Sequence, residues 1–314
     1  MKYRKLGNTG LEASVLSFGA SSLGSVFRDI NETEGIKTVH TAIDHGINLI
    51  DVSPYYGLTK AETVLGKAIR ELPRDKFILS TKAGRYGENE FDFSKQRIFK
   101  SIEESLKRLH TDYVDILLLH DIEFGSFDQI MEEGIPALQQ LKKEGKIRFF
   151  GVSALPLAIF ERVLNQIELD VILSYCHYSL NDTSLLSLIP LLEKKKIGLI
   201  NASPLSMGLL SSRPVPDWHP ADQEIRKICK QAADFCAGNG VDLSKLAIQY
   251  AVQNELIPTT LVSTASVENI KKNITWTEEP MNHDLLKEVL DILKPIHNKT
   301  WPSGESEYAD NVIK

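Results

Sequence analysis

Short apolar runs alternate with longer stretches of helical periodicity along most of the chain, and the alternation predicts an architecture. Strands are expected over 15–19, 47–52, 77–81 running into Lys82, 113–119 running into His120, 147–151, 171–174, 198–202 and 259–263. Helices are expected over 32–44, 60–71, 94–109, 127–144, 156–166, 184–196, 223–238, 244–253 and 267–273, with a further helix over 285–296. In 94–109 the apolar positions Ile98, Ile102, Leu106 and Leu109 recur at helical spacing. Eight strands separated by helices predict an α/β protein of the (β/α)8 TIM-barrel class over an open doubly wound sheet, and no Gly-x-Gly-x-x-Gly opens a helix after a strand. At the amino-terminal end, residues 3–17 read as a hairpin around the turn formers Gly7-Asn8-Thr9-Gly10, placed to plug the bottom of the barrel. No break in composition divides the chain, so residues 1–314 are expected to form one barrel domain.

Composition narrows the functional classes. A hydrophobic fraction of 42% with 25% charged residues is ordinary for a chain that buries a full core. A net charge of −6, with no basic cluster beyond Lys194-Lys195-Lys196 at a predicted helix end, argues against nucleic acid as a partner. No apolar run approaches the roughly 18 residues of a membrane helix, and the amino terminus lacks a signal-peptide core, so no membrane partner and a cytoplasmic location are expected. Cys176, Cys229 and Cys236 are too few for a disulfide framework and lack neighbours for a metal set, so no metal is expected. The oligomeric state is left open.

The chemistry concentrates at strand ends. Asp51-Val52-Ser53-Pro54-Tyr55-Tyr56-Gly57 puts a carboxylate and phenols where one strand runs into a turn, and the next two strands end in Lys82 and His120. In a parallel barrel the carboxyl ends of different strands supply the catalytic groups. A phenol is a poor base at neutral pH unless a cation stabilises its anion, and at an effective dielectric of about 20 a charge about 4 Å away contributes roughly 4 kcal/mol. Lys82 fits that role, with Asp51 as its partner. Tyr55 and Tyr56 both offer the phenol.

Asp51, Tyr56, Lys82 and His120, in this order, resemble the tetrad of the aldo-keto reductases. The resemblance runs from Arg4-Lys5-Leu6-Gly7-Asn8-Thr9-Gly10-Leu11 to Trp301-Pro302-Ser303-Gly304, and is most specific in His120-Asp121-Ile122-Glu123-Phe124-Gly125-Ser126 and Asp170-Val171-Ile172-Leu173-Ser174-Tyr175-Cys176-His177-Tyr178. It implies that Tyr56, directly before Gly57, is the catalytic phenol, that His120 positions the reacting oxygen, and that a dinucleotide lies extended over the barrel mouth under the carboxy-terminal tail. By the same resemblance Ser153 holds the nicotinamide amide, with Ser174 or Tyr175 at a second polar position. Ser203, Leu205 and Met207 cover the pyrophosphate, and Ser263, Thr264, Asn269 and Asn273 lie at the adenosine end. The chain departs from the family pattern at Ala154 and at Ala202, where an aromatic usually stacks on nicotinamide, leaving Tyr175 or Tyr178 for that task. Ser263 and Asn269 stand where a Lys and an Arg often bind a 2′-phosphate, implying NAD in preference to NADP. The implied substrate is a free aldose oxidised at C1, with L-galactose first and L-fucose or D-arabinose as alternatives, beside an NADPH-linked aldehyde reductase and a nucleotide-sensing subunit. Phe27, Arg85, Asp121, Glu123, Phe124, His177 and Trp301 are the expected sugar contacts.

Overall fold

The computed structural model describes residues 1–26 and 29–306. Strands β1 (Tyr3–Lys5) and β2 (Glu12–Ser14) pair antiparallel, and eight parallel strands come after them: β3 (Leu16–Gly19), β4 (Leu49–Asp51), β5 (Ile78–Ala83), β6 (Val114–Leu119), β7 (Ile147–Ala154), β8 (Val171–Tyr175), β9 (Gly198–Ala202) and β10 (Thr259–Ser263). They close into a barrel in chain order, with β10 pairing back onto β3. The (β/α)8 expectation holds, and so does the hairpin.

The lower half of the barrel is filled by Leu49, Ile78, Ile116, Leu118, Val171, Leu173, Ile200 and Leu261, a layered apolar stack rather than a channel. Leu6 of the hairpin is fully buried against it. Gly7, at φ 56°, approaches Gly198 so closely that a Cβ would lie 2.2 Å from its backbone nitrogen, and only glycine admits the plug at that depth. A second, larger core lies between strands and outer helices.

Several element boundaries differ from the sequence expectation, for identifiable physical reasons. The segment 127–144 breaks into Phe127–Gln129, a π-helical turn Ile130–Gly134 and Ile135–Lys143, because Pro136 lacks the N–H that a continuous α-helix needs. Pro190 likewise divides 184–196 into a 3₁₀ turn, Ser184–Leu188, and Ile189–Lys195. Strand β7 runs three residues past Gly151, with β6 pairing as far as Val152 and β8 pairing all three, which carries Ser153 onto the sheet itself. The helix after β10, Val267–Glu278, extends beyond Asn273 and buries Ile274.

Candidate active site

Asp51, Lys82 and Ser153 lie near the carboxyl ends of β4, β5 and β7, and His120 directly follows β6, so the rim of the barrel gathers them. Lys82 is 1% exposed. Its Nζ pairs with Asp51 Oδ1, donates to the Val52 carbonyl at 3.0 Å and reaches Tyr56 Oη at 3.2 Å. Ser80, one pleat before Lys82, donates to Asp51 Oδ2 at 2.8 Å and occupies the carboxylate's second oxygen. Tyr56 is held from behind, since Gly57, at φ 62°, packs against Gly24 with room for no Cβ. The ring of His120 meets that of Tyr56 edge-on, with centroids 5.6 Å apart.

The charges are set by burial and neighbours. Burial alone would lower the Lys82 ammonium, yet Asp51 and Tyr56 together hold it above its usual value. Burial raises Tyr56 above the ordinary phenol value, with Lys82 opposing that rise and Asp51 adding to it. The expectation that Lys82 favours the phenolate is met in direction, but desolvation outweighs it. His120 is pushed well below 6.5 by burial, then by Lys82 and Arg85, and is a neutral imidazole at pH 7.

A second polar group sits beside the tetrad. Arg85 Nη1 donates to Asp121 Oδ2 at 2.5 Å, and its guanidinium lies 3.8 Å from the Tyr55 ring centroid. Tyr55 is therefore a platform for Arg85. Phe91 and Phe124 stack at 4.8 Å next to the same guanidinium and form an apolar wall. Glu123 is fully buried; its Oε1 accepts from Leu155 N, Ser303 Oγ and Tyr175 Oη at 3.0, 2.9 and 3.3 Å. Glu305 N donates to the Glu123 carbonyl at 2.8 Å, so this residue ties the tail to the mouth.

Burial, followed by the charge of Asp121, pushes the Glu123 carboxyl up to about 8, from 4.5 in a solvated chain. Its folded-state pKa is raised, so its contribution to stability is fully present below 4.5 and is lost as pH rises through about 8. Glu123→Gln is expected to flatten this slope and to be more stable than the parent at about pH 9, by a few kcal/mol at most. Melting temperatures of both proteins from about pH 5 to 9 check it, and parallel curves would refute the assignment.

The remaining sequence-based candidates separate. Ser153 Oγ accepts the Asp121 N–H at 3.2 Å. Ser174 is fully buried and its hydroxyl has no hydrogen-bond partner among the described residues. Ser203 and Met207 both take positive φ in the loop after β9, and Leu205 packs half-buried between them. Ser263 Oγ bonds Ser21 and Ser22. Asn269 and Asn273 lie on Val267–Glu278, whose cap Ser266 donates from its backbone to Thr264 Oγ1. Tyr178 stacks on Tyr250 in the core and takes a hydrogen bond from Asn254, which leaves Tyr175 on the rim. His177 is drawn into a cluster with Asp182 and Ser184, and Trp301 packs edge-on to His219 in the apolar cluster under the tail. Phe27 lies outside the described residues. Among those described, no group of side chains could hold a metal ion, and no helix is long and apolar enough to cross a membrane.

Sequence reasoning passed over Ser53, Ser80 and Glu34. Ser53 had a local signal, a serine two residues before an N–H it caps, whereas Glu34 had none: its carboxylate accepts Val267 N at 3.0 Å from 233 residues away.

A family model described as Aldo/keto reductase family matches residues 15–294. The chain is 50% identical over 313 residues to the L-galactose dehydrogenase of Arabidopsis thaliana, covering 97% of this chain and 98% of that protein. It is 37% identical to the D-arabinose 1-dehydrogenase of Saccharomyces cerevisiae over 76% of this chain and 75% of the relative. Among solved structures, an aldo-keto reductase from Bacillus halodurans superposes with a TM-score of 0.79 at 27% identity, over 99% of this chain and all of that one.

Proposed function

Because the chain belongs to the aldo/keto reductase family, whose members are oxidoreductases using nicotinamide cofactors, we propose that it oxidises a free aldose at C1 to the lactone with NAD, and that L-galactose is its substrate. One observation carries the reading: a phenol within 3.2 Å of a buried, carboxylate-paired ammonium on the barrel rim, in a chain 50% identical to an aldose dehydrogenase.

A cyclic aldose offers a C1 hydroxyl and a C1 hydrogen. Tyr56 takes the hydroxyl proton, Lys82 stabilises the anion that accepts it, and Asp51 keeps Lys82 aimed. Neutral His120 hydrogen-bonds the reacting oxygen. When bound, NAD supplies the acceptor for the hydride leaving C1. The buried Ser174 hydroxyl on the rim, without a hydrogen-bond partner among the described residues, fits a polar group of the cofactor. Ser153 and Ser174 would hold the nicotinamide amide beneath Tyr175, Ser203, Leu205 and Met207 the pyrophosphate, and Ser263, Thr264, Asn269 and Asn273 the adenosine. Arg85, Asp121 and Glu123 supply polar groups for sugar hydroxyls, against the apolar wall that includes Phe124. Such groups reject analogues lacking a hydroxyl far better than an apolar pocket does.

Neutral Ser263 and Asn269, with the Glu34 carboxylate already at the start of Val267–Glu278, support NAD over NADP, since a 2′-phosphate would meet an anion there and no cation at either of those two positions. Lys272 is engaged with Glu268 on the solvated face of that helix. The double change Ser263→Lys with Asn269→Arg is expected to raise NADP affinity at least about tenfold, read by protein fluorescence quenching, from charge-assisted bonds of roughly 1.5–3 kcal/mol each. A parent protein that already binds NADP more tightly than NAD would overturn the preference. For the substrate, kcat/KM is to be measured with L-galactose, L-fucose and D-arabinose and both cofactors, with the product identified as a lactone. The highest value is expected for L-galactose with NAD; no aldose oxidation together with fast NADPH-linked reduction of simple aldehydes would refute the proposal.

A further inference from the structure

We infer that Ser53 is a positioning residue that selects the tautomer of His120. Ser53 follows β4 two residues after Asp51 and is fully buried. Its Oγ accepts the backbone N–H of Tyr55 at 3.1 Å and lies 2.9 Å from His120 Nδ1. Two proton arrangements satisfy the second contact. If Nδ1 carried the proton, both donors would point at Ser53 Oγ, and the serine's own O–H would be buried with no acceptor among the described residues. If Ser53 donates, every group is used: one lone pair takes the Tyr55 N–H, and the single hydroxyl proton goes to Nδ1. The second arrangement makes Nδ1 an acceptor.

In a neutral imidazole the proton then resides on Nε2. That nitrogen lies 3.6 Å from Asp121 Oδ2, where a carboxylate's field favours an N–H over a lone pair. His120 therefore offers a donor to the reacting oxygen, while the alternative tautomer would oppose a lone pair to it. The same serine closes the turn that carries Tyr55 and Tyr56, so one hydroxyl sets both the phenol's loop and the imidazole's polarity. The inference rests on the roles proposed above for Tyr56 and His120, but its first test needs no substrate.

Nitrogen-15 NMR of the labelled protein, with His120 assigned by its loss in His120→Gln, is expected to show Nε2 protonated and Nδ1 bare. Ser53→Ala is expected to give a mixture of tautomers and to lower kcat on the order of 10- to 100-fold, by analogy with the loss of the hydrogen-bond partner that orients a metal-bound histidine, with the dissociation constant for NAD unchanged. Ser53→Thr keeps the hydroxyl and is expected to restore both the tautomer and most of kcat. A parent His120 protonated on Nδ1 overturns the inference even if Ser53→Ala fails to fold. So does a Ser53→Ala protein that loses kcat with its tautomer intact, since the serine then acts on loop geometry alone. Absence of aldose turnover in the parent, with the Nε2–H tautomer observed, would refute the proposed function and leave the Ser53–His120 assignment standing.

Discussion

Tyr56→Phe is expected to lower kcat for aldose oxidation by about 10²–10⁴-fold while NAD affinity is retained, because the ring volume stays and only the hydroxyl proposed to take the substrate proton is lost. Lys82 Nζ and Tyr56 Oη are 3.2 Å apart, so the phenolate forms beside a fixed cation. Burial nevertheless holds Tyr56 above the ordinary phenol value of 10.0, and little phenolate is present at neutral pH. Oxidation uses the deprotonated form, so kcat/KM for the aldose should climb as pH rises toward that value. Reduction uses the protonated form, which stays predominant over the same range, so it should be nearly level there and fall only above the phenol's pKa. Steady-state profiles in both directions check the sign, and Tyr56→Phe should lose the slope. Tyr55→Phe is the control: its ring, which carries Arg85, remains. Near-full activity in Tyr56→Phe with loss in Tyr55→Phe would reverse the assignment.

The second large effect is on stability. Lys82→Met is expected to cost about 3–5 kcal/mol, because removing one partner leaves the Asp51 carboxylate buried without its countercharge. Asp51 is 2% exposed, and the Ser80 hydroxyl at 2.8 Å would be left as its side-chain partner. Adding Asp51→Asn to Lys82→Met should recover most of that loss, since the unpaired charge goes with it, while activity stays low because the phenolate still lacks a cation. Urea unfolding of the two single variants and the double forms the required cycle. If the lysine variant unfolds at the parent's urea midpoint, the pair serves chemistry alone.

Much of the fold and the site is legible in the sequence. The barrel follows from local signals, apolar runs of strand length separated by helical periodicity, and Asp51, Lys82 and His120 stand out because each directly ends or follows such a run. Boundaries are least legible where a proline interrupts a good helical pattern, as at Pro136 and Pro190, or where pairing with a neighbouring strand prolongs a strand, as β8 does β7.

The sequence by itself determined the fold class and the order in which Asp51, Lys82 and His120, the candidate residues, come along the rim, since each depends on a few neighbouring positions. Only the tertiary structure decided which groups those residues contact. Tyr175 and Tyr178 are alike in sequence, yet one reaches Glu123 on the rim and the other stacks on Tyr250 in the core. Glu123 reads as one more loop carboxylate until Ser303, 180 residues later, closes over it and burial drives its pKa to about 8. Ser53 becomes informative only when His120, 67 positions on, is brought within 2.9 Å. Burial, charge state and proton position are set by contacts between distant segments, and periodicity along the chain carries no record of them.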